Sequence, residues 1–396
     1  MAKPRGRLLI RPQVANLPHM VRTLGVWVVF LVGAASAQKP RARDLGIPFH
    51  GTTGSLNAIT DVARVTVGHT TLIEGPNVRT GVTAIWPRGT RQSGASFAGW
   101  FALNGNGEMT GTAWIDESGF LDSPVLITNT HSVGVVRDAF IRYQVEHKLF
   151  PDTNRSGDLF WSMPVVAETY DGFLNDTNGF HVKPEHVFQA LDKAAAGAVA
   201  EGSVGGGTGM ICFGFKGGIG TSSRVAGAYT VGALVQCNCG RRDQLRIAGI
   251  PVGEEIKNAA AAGLGQPGIQ QERGSIIIVV ATDAPLLPHQ LKRLARRAAL
   301  GLARTGATSS NSSGDLFLAF STANAGVGTG AGEKTVRMLP NEALDAIFIA
   351  TVDAVEEAIT NALVAGETMT GVGRHKVEAL PVGRVVEILK ERKALK

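Results

Sequence analysis

The sequence predicts an α/β fold, one compact unit in which strands form sheets and helices cover them. Three observations lead there. Short runs alternating apolar and polar residues are interleaved with segments of helical periodicity along most of the chain. Hydrophobic residues make up 44% of the 396 positions and charged ones 18%, enough for a large core and too apolar for disorder. Five β-branched residues in a row, Ile276 to Val280, have the composition of a strand covered on both faces.

The elements follow in order. Ala63–His69 alternates as a strand does, and Gly81–Pro87 and Ala95–Leu103 are further strands. Val136, Phe140 and Tyr143, spaced four and three apart, share one face of a helix within 132–150. Pro184 opens a second helix, because its fixed φ suits a first turn where its missing N–H is not needed. Val187, Leu191 and Ala194 line one face of it, and Gly197 closes it. Residues 202–240 read as glycine-rich strands. Residues 253–274 are polar and rich in alanine and glycine, with no apolar face, and read as an exposed linker. It ends at Ser275, where the β-branched strand begins. Leu287, Leu291, Leu294 and Ala298 mark a third helix, with Arg293, Arg296 and Arg297 on a solvated side. Asp315–Ser321 is a strand; Leu344, Ile347, Phe348, Val352, Val355 and Ile359 mark a long helix closed by Gly366, and Pro381 starts a short last one. Glycine is abundant, 50 residues without a G-X-Y period, which excludes collagen and implies tight turns and close backbone approaches.

The formal net charge is +6, but Lys3, Arg5, Arg7, Arg11 and Arg22 carry most of it and the first 37 residues contain no acid. The rest of the chain is nearly neutral, which excludes a global basic field for nucleic acid. Residues 1–37 read as a secretory signal: Val21-Arg22 is a basic entry, Leu24 to Ala35 an apolar run, and Ala35-Ser36-Ala37 a small-residue cleavage site before Gln38. The run is shorter than the ~20 residues a bilayer requires. Met20 is an alternative start to Met1, and an uncleaved anchor is the rival reading. Export to the periplasm or outside follows, with no stable membrane span after leader removal. Three cysteines do not make a disulfide scaffold. Cys237 and Cys239 share a strand face, too far apart along extended backbone to bridge each other, and read as small buried apolar side chains.

Several motifs fail on context. Gly263–Gly268 matches G-x-G-x-x-G without a preceding strand, and Pro267 would break the helix it should open. Gly328–Thr335 resembles a phosphate loop, but Glu333 puts a negative charge where phosphate would sit. His181 and His186 are poorly spaced for one helix face, no C-x-x-C or H-E-x-x-H occurs, and no metal is implied. The G-x-S-x-G elbow is absent.

The junction Arg273-Gly274-Ser275-Ile276 remains. A linker, a glycine and a serine heading a buried strand are the ingredients of a self-cleaving precursor. The serine hydroxyl can attack the Gly274 carbonyl, and hydrolysis of the ester would free Ser275 as a new N-terminus; a plain turn is the other reading of this Gly-Ser pair. Its α-amine, with an ordinary pKa of ~7.7–8.0, can then take the hydroxyl proton with no histidine required.

Longer motifs carry a resemblance. NAITDVARVTVGHTTL at 57–72, RTGVTAIWPRG at 79–89, PVLITNTHSVG at 124–134, AETYDGFLND at 167–176, VGGGTGM at 204–210, GSIIIVVATDAPLLPHQLKRLARRA at 274–298 and SSGDLFLAFSTAN at 312–324 occur in this order. The chain resembles the L-aminopeptidase/D-esterase and β-peptidyl aminopeptidase family of self-processing serine aminopeptidases. The resemblance implies a four-layer α/β/β/α sandwich like that of N-terminal-nucleophile hydrolases in architecture. It implies Ser275 as nucleophile after cleavage behind Gly274, with Ser313 and Asp315 as the polar pair beside it. Asn238 is implied as the amide stabilising the oxyanion, Glu168 as the carboxylate for the substrate's free amino group, and Tyr170 as a lining residue. It further implies an α chain of residues 38–274, a β chain of residues 275–396, one structural domain after cleavage, and a tetramer of such heterodimers. No metal or organic cofactor is implied. The Gly205–Gly207 run reads equally as a close backbone approach near the pocket or as a plain turn. The proton acceptor is left open between the Ser275 amine and the Ser313/Asp315 pair. Two other functions remain open on sequence: a self-processing amidase for acylated or β-amino substrates, and a non-catalytic exported binding protein.

Overall fold

The computed structural model describes residues 39–150, 155–156, 159–256, 274–330 and 332–395; the expected leader and positions 257–273 of the expected linker lie outside the described residues. The strands are β1 (Thr66–Glu74), β2 (Val78–Trp86), β3 (Ser96–Gly105), β4 (Phe120–Leu121), β5 (Val125–Asn129), β6 (Arg155–Ser156), β7 (Leu159–Phe160), β8 (Val165–Thr169), β9 (Ile211–Cys212), β10 (Phe215–Lys216), β11 (Gly218–Ala226), β12 (Tyr229–Asn238), β13 (Ser275–Thr282), β14 (Gly314–Ser321), β15 (Met369–Thr370) and β16 (Lys376–Val377). The helices are α1 (Thr112–Ser118), α2 (Val133–His147), α3 (Pro184–Asp192), α4 (Val252–Glu255), α5 (Pro288–Arg304), α6 (Asp345–Val364) and α7 (Val382–Glu391). Among the described residues no helix is long and apolar enough to cross a membrane.

Two sheets dominate. The smaller runs β1-β2-β5-β8, and the larger runs β11-β12-β13-β14-β3-β4. The pairs β5/β8 and β13/β14 are parallel; the other neighbours in these sheets are antiparallel. Three apolar clusters fill the spaces between layers. One joins α2 and α3 to the smaller sheet through Phe140, Tyr143, Leu191, Val82 and Leu126. The next joins the two sheets through Ile85, Ile127, Val165, Leu234, Ile277 and Leu318. The last joins the larger sheet to α5, α6 and α7 through Ile278, Phe317, Leu294, Val355 and Ile388. The order is therefore α/β/β/α, as expected from the sequence.

All eight residues of β13 are buried. Ile276, Ile278 and Val280 face the helices, whereas Ile277, Val279 and Ala281 face the other sheet. The strand alternates between two dry environments, which is why its sequence shows no polar alternation. A buried salt bridge ties the segment around Arg43 into the same unit: Arg224 on β11 meets Glu357 on α6 at 2.6 Å, and Arg43 Nε donates to the same carboxylate at 2.9 Å.

Four local expectations change. The expected linker does not start at 253: α4 covers Val252–Glu255, and Gly253 and Ile256 are buried. A polar composition concealed one packed turn, in which a Cβ on Gly253 would lie 1.8 Å from the Arg242 carbonyl oxygen. Cys237 is not a plain apolar side chain but is bridged to Cys212, with Cα atoms 5.7 Å apart. The hairpin β9–β10 folds against β12 and supplies that partner, while Cys239 stays outside the bridge and buried. The α5 arginines are not merely solvated, since Arg297 lies 3.7 Å from the centre of the Phe348 ring and Arg296 5.5 Å from that of Phe101. Residues 63–65 precede β1, and Arg64 there has a φ of +75°.

Candidate active site

Ser275 is the first residue of β13 and is 5% exposed. It stands opposite Asn238, the last residue of β12, in antiparallel register. On the other side of β13, Asp315 pairs with Ile276 in parallel register. Three adjacent strand ends thus bring together residues that the sequence separates by 37 and 40 positions.

The Ser275 Oγ accepts the Gly314 N–H at 2.9 Å. Ser313, fully buried, donates its hydroxyl to Asp315 Oδ2 at 2.9 Å, with the Ser310 carbonyl oxygen as a second acceptor at 3.0 Å. The other oxygen of Asp315 accepts the Ile276 N–H at 3.2 Å. Asn104 completes this corner, donating through Nδ2 to Ser313 Oγ at 3.1 Å and to the Ser310 carbonyl. Its position follows from a bulge: Asp315 pairs with Asn104 but Leu316 with Ala102, leaving Leu103 unpaired.

The carboxamide of Asn238 is held at both ends. Ile211 N–H donates to its Oδ1 at 2.7 Å, and its Nδ2 donates to the Tyr170 carbonyl at 2.9 Å. Only an oxygen can accept from Ile211, so the amide orientation is determined and one Nδ2 hydrogen is left for another acceptor.

Glu168, near the end of β8 in the smaller sheet, is 4% exposed. Its Oε1 accepts the Glu108 N–H at 3.0 Å and its Oε2 the Thr130 hydroxyl. Burial pushes its pKa up, and these two bonds oppose the rise. Gly107 links this carboxylate to the Ser275 corner. A Cβ there would lie 3.1 Å from Gly314 Cα and 3.3 Å from Glu168 Oε1, so only bare backbone separates Glu168 from the residue whose N–H reaches Ser275. Tyr170 is half exposed, and its hydroxyl sits over Gly172, where an added Cβ would be 2.2 Å away.

Gly274 is forced by packing. A Cβ on it would lie 1.7 Å from the Asn238 carbonyl oxygen, closer than any side chain tolerates. The Gly205–Gly207 turn is also a close approach, but between sheets: a Cβ on Gly206 would lie 2.3 Å from Gln236 Oε1 and 2.7 Å from the Ile127 carbonyl oxygen.

Strand register and hydrogen bonds thus bring Ser275, Asn238, Ser313 and Asp315 into one corner, Glu168 approaches it through Gly107, and Tyr170 joins it through its carbonyl oxygen while its side chain stays exposed. Asn104, Gly107, Thr130 and the N–H groups of Glu108, Ile211 and Gly314 were missed. Backbone donors carry no residue signature, and Asn104 depends on a bulge with no sequence marker.

The sequence profile described as Peptidase family S58 matches residues 57–377. A beta-peptidyl aminopeptidase BapA of Sphingosinicella microcystinivorans is 53% identical over 388 residues, covering 93% of this chain and 96% of that protein. The solved L-aminopeptidase D-Ala-esterase/amidase of Ochrobactrum anthropi, described as a prototype serine aminopeptidase and a variant of the Ntn hydrolase fold, superposes with a TM-score of 0.84 at 48% identity, covering 90% of this chain and 100% of that one. A Burkholderia sp. beta-aminopeptidase superposes with a TM-score of 0.80 at 50% identity, covering 89% and 99%.

Proposed function

The chain belongs to peptidase family S58, a self-processing serine aminopeptidase with an N-terminal-nucleophile mechanism, and on that premise we propose how its residues share the work. The carrying observation is that Ser275 heads a buried strand between Asn238 and Asp315, behind a glycine that packing requires.

In self-cleavage the Ser275 Oγ attacks the Gly274 carbonyl carbon. The hydroxyl proton passes to the Ser275 nitrogen as the bond from that carbon to the nitrogen breaks, leaving an ester and a free α-amine. Water hydrolyses the ester, separating residues 38–274 from 275–396. In turnover the same oxygen attacks a substrate carbonyl, passing its proton to the α-amine or into the Ser313–Asp315 pair. The Gly314 N–H lowers the cost of charge on the Oγ as that proton leaves. The spare Nδ2 hydrogen of Asn238 receives the negative oxygen of the tetrahedral intermediate, a role typically worth ~10²–10³ in rate. Glu168, held as an acceptor by Thr130 and Glu108, binds the substrate's terminal ammonium, and Tyr170 flanks it. Collapse of the intermediate expels the amine or alcohol, and water releases the acyl group from Ser275. The substrates are short peptides, amides or esters with a free amino group. The leader at 1–37 supports export to the periplasm or outside, and the family resemblance supports a tetramer of two-chain units.

Intact mass and N-terminal sequencing of purified protein test the first step: two fragments are expected, the smaller beginning at Ser275, and a single chain in Ser275→Ala. p-Nitroanilides of L-Ala, Gly, D-Ala and a β-amino acid test the second. Turnover of N-acylated anilides with none of the free amines would remove Glu168 from its role and favour an amidase.

A further inference from the structure

A fully buried lysine, Lys216, is not used by the chemistry above. It lies on β10, and among the described residues no carboxylate pairs with it. An ammonium without a counter-ion is costly to bury. Its compensation is three carbonyl oxygens, those of Gly217 at 2.8 Å, Met210 at 3.0 Å and Gly207 at 3.5 Å. Burial draws its pKa down to about 7, and the positive charge of Lys39 adds to the fall.

The Met210 carbonyl is one end of a peptide group whose other end is the Ile211 N–H. That N–H is the donor to Asn238 Oδ1 at 2.7 Å. The oxygen end of this peptide is gripped twice, by Lys216 Nζ and by the Gly217 N–H at 2.9 Å. The order is ammonium, peptide group, carboxamide, each donating to the next, an arrangement in which hydrogen bonds polarise one another.

The surrounding backbone is strained and tightly held. The β9–β10 hairpin turns on Phe213 and Gly214, with φ of +50° and +67°. A left-handed conformation is natural for the glycine and unfavourable for a buried phenylalanine. Several contacts hold it there. The Phe213 N–H donates to the Cys239 carbonyl at 2.7 Å, and Cys212 is bridged to Cys237, the neighbour of Asn238. Arg242 donates to the Gly214 carbonyl at 2.6 Å. Strain maintained by so many contacts beside a reactive group points to a positional requirement.

We propose that Lys216 is a positioning residue for the Asn238 carboxamide, acting through the Met210–Ile211 peptide group. The inference rests on the oxyanion role given to Asn238, and the test separates the two. Steady-state kinetics on an L-alanine or β-alanine p-nitroanilide are measured for cleaved two-chain protein of wild type, Lys216→Met, Lys216→Arg, Asn238→Ala and Lys216→Met/Asn238→Ala, with thermal midpoints as a check of folding. Lys216→Met is expected to lower kcat about 10- to 100-fold, part of what loss of an oxyanion donor costs, with KM changed less than about twofold. Lys216→Arg is expected to recover part of that loss. In the Asn238→Ala background the lysine substitution is expected to cost less than about twofold, because its route to the reaction is already gone. A wild-type kcat in Lys216→Met, or the same fold loss in both backgrounds, overturns the inference while leaving the Asn238 role standing. A wild-type kcat in Asn238→Ala overturns that role and this inference with it. Where Lys216→Met does not accumulate as cleaved protein, Lys216→Arg alone and combined with Asn238→Ala carries the same comparison.

Discussion

The two sheets contribute to the site in different ways. The larger sheet supplies Ser275, Asn238 and Asp315 from the ends of three hydrogen-bonded strands, where ladder register sets their spacing. The smaller sheet supplies Glu168, whose distance from the nucleophile depends on packing between sheets and on Gly107. Neighbouring strands are held at ~4.8 Å by backbone bonds, whereas face-to-face sheets pack ~10 Å apart through side chains. On the roles proposed above, bond-making groups sit where geometry is tightest, and the recognition group sits where a bound substrate can help to complete it.

The difference is broken most severely by removing one member from each side. Asp315→Asn is expected to lower both self-cleavage and peptide turnover by about 10²–10³-fold, since both reactions use the same corner. Glu168→Gln is expected to lower kcat/KM on free-amine substrates by about 10–100-fold, the loss of a charge-assisted contact, while self-cleavage proceeds at the wild-type rate. Fragment formation on gels and p-nitroanilide kinetics report the two reactions separately. Equal loss of both in Glu168→Gln would erase the division between sheets.

A smaller effect sharpens it. Gly107→Ala would place a Cβ 3.1 Å from Gly314 Cα and 3.3 Å from Glu168 Oε1, pushing the sheets' contributions apart by a few tenths of an ångström. A drop of about tenfold in kcat/KM is expected, with self-cleavage less affected.

Thr130→Ala tests the electrostatics of the recognition side. Burial raises the Glu168 pKa and the Thr130 hydroxyl opposes the rise. In the proposed role the ionised carboxylate binds the ammonium, so kcat/KM is expected to fall as pH falls through the Glu168 pKa. Deleting the hydroxyl is expected to move this acid limb to higher pH while sparing activity at the alkaline side. A pH–rate profile unchanged in position would dissociate the limb from Glu168.

A last effect concerns the stability of the smaller sheet and leaves the chemistry aside. His69 on β1 is half-buried with its Nε2 shielded from solvent, its Nδ1 is 3.0 Å from Thr83 Oγ1, and desolvation of the ring holds its pKa down to about 4. The unfolded chain takes up the proton first, near its ordinary pKa of 6.5, so stability is full above that pH and is lost as pH falls toward 4. The loss amounts to roughly 3 kcal/mol at most. His69→Gln is expected to flatten the decline of the thermal midpoint between pH 6.5 and 4.5.

The sequence alone determined the elements whose causes are local. Ile276 to Val280 reads as a strand covered on both sides and is one, and Pro184 with the spacing of Val187 and Leu191 sets the start and face of α3, which ends at Asp192, short of the expected Ala194 and Gly197. The family motifs supplied the four-layer order and the set of site residues. Tertiary structure decided what depends on approach between distant segments: the Cys212–Cys237 bridge, the bulge that sets Asn104 on Ser313, the bare contact of Gly107 with Glu168, and the lysine behind the Ile211 peptide. Residue type and periodicity report which face of a strand is dry. They are silent about which peptide N–H points where, because every residue but proline carries the same one, and only the folded chain selects among them.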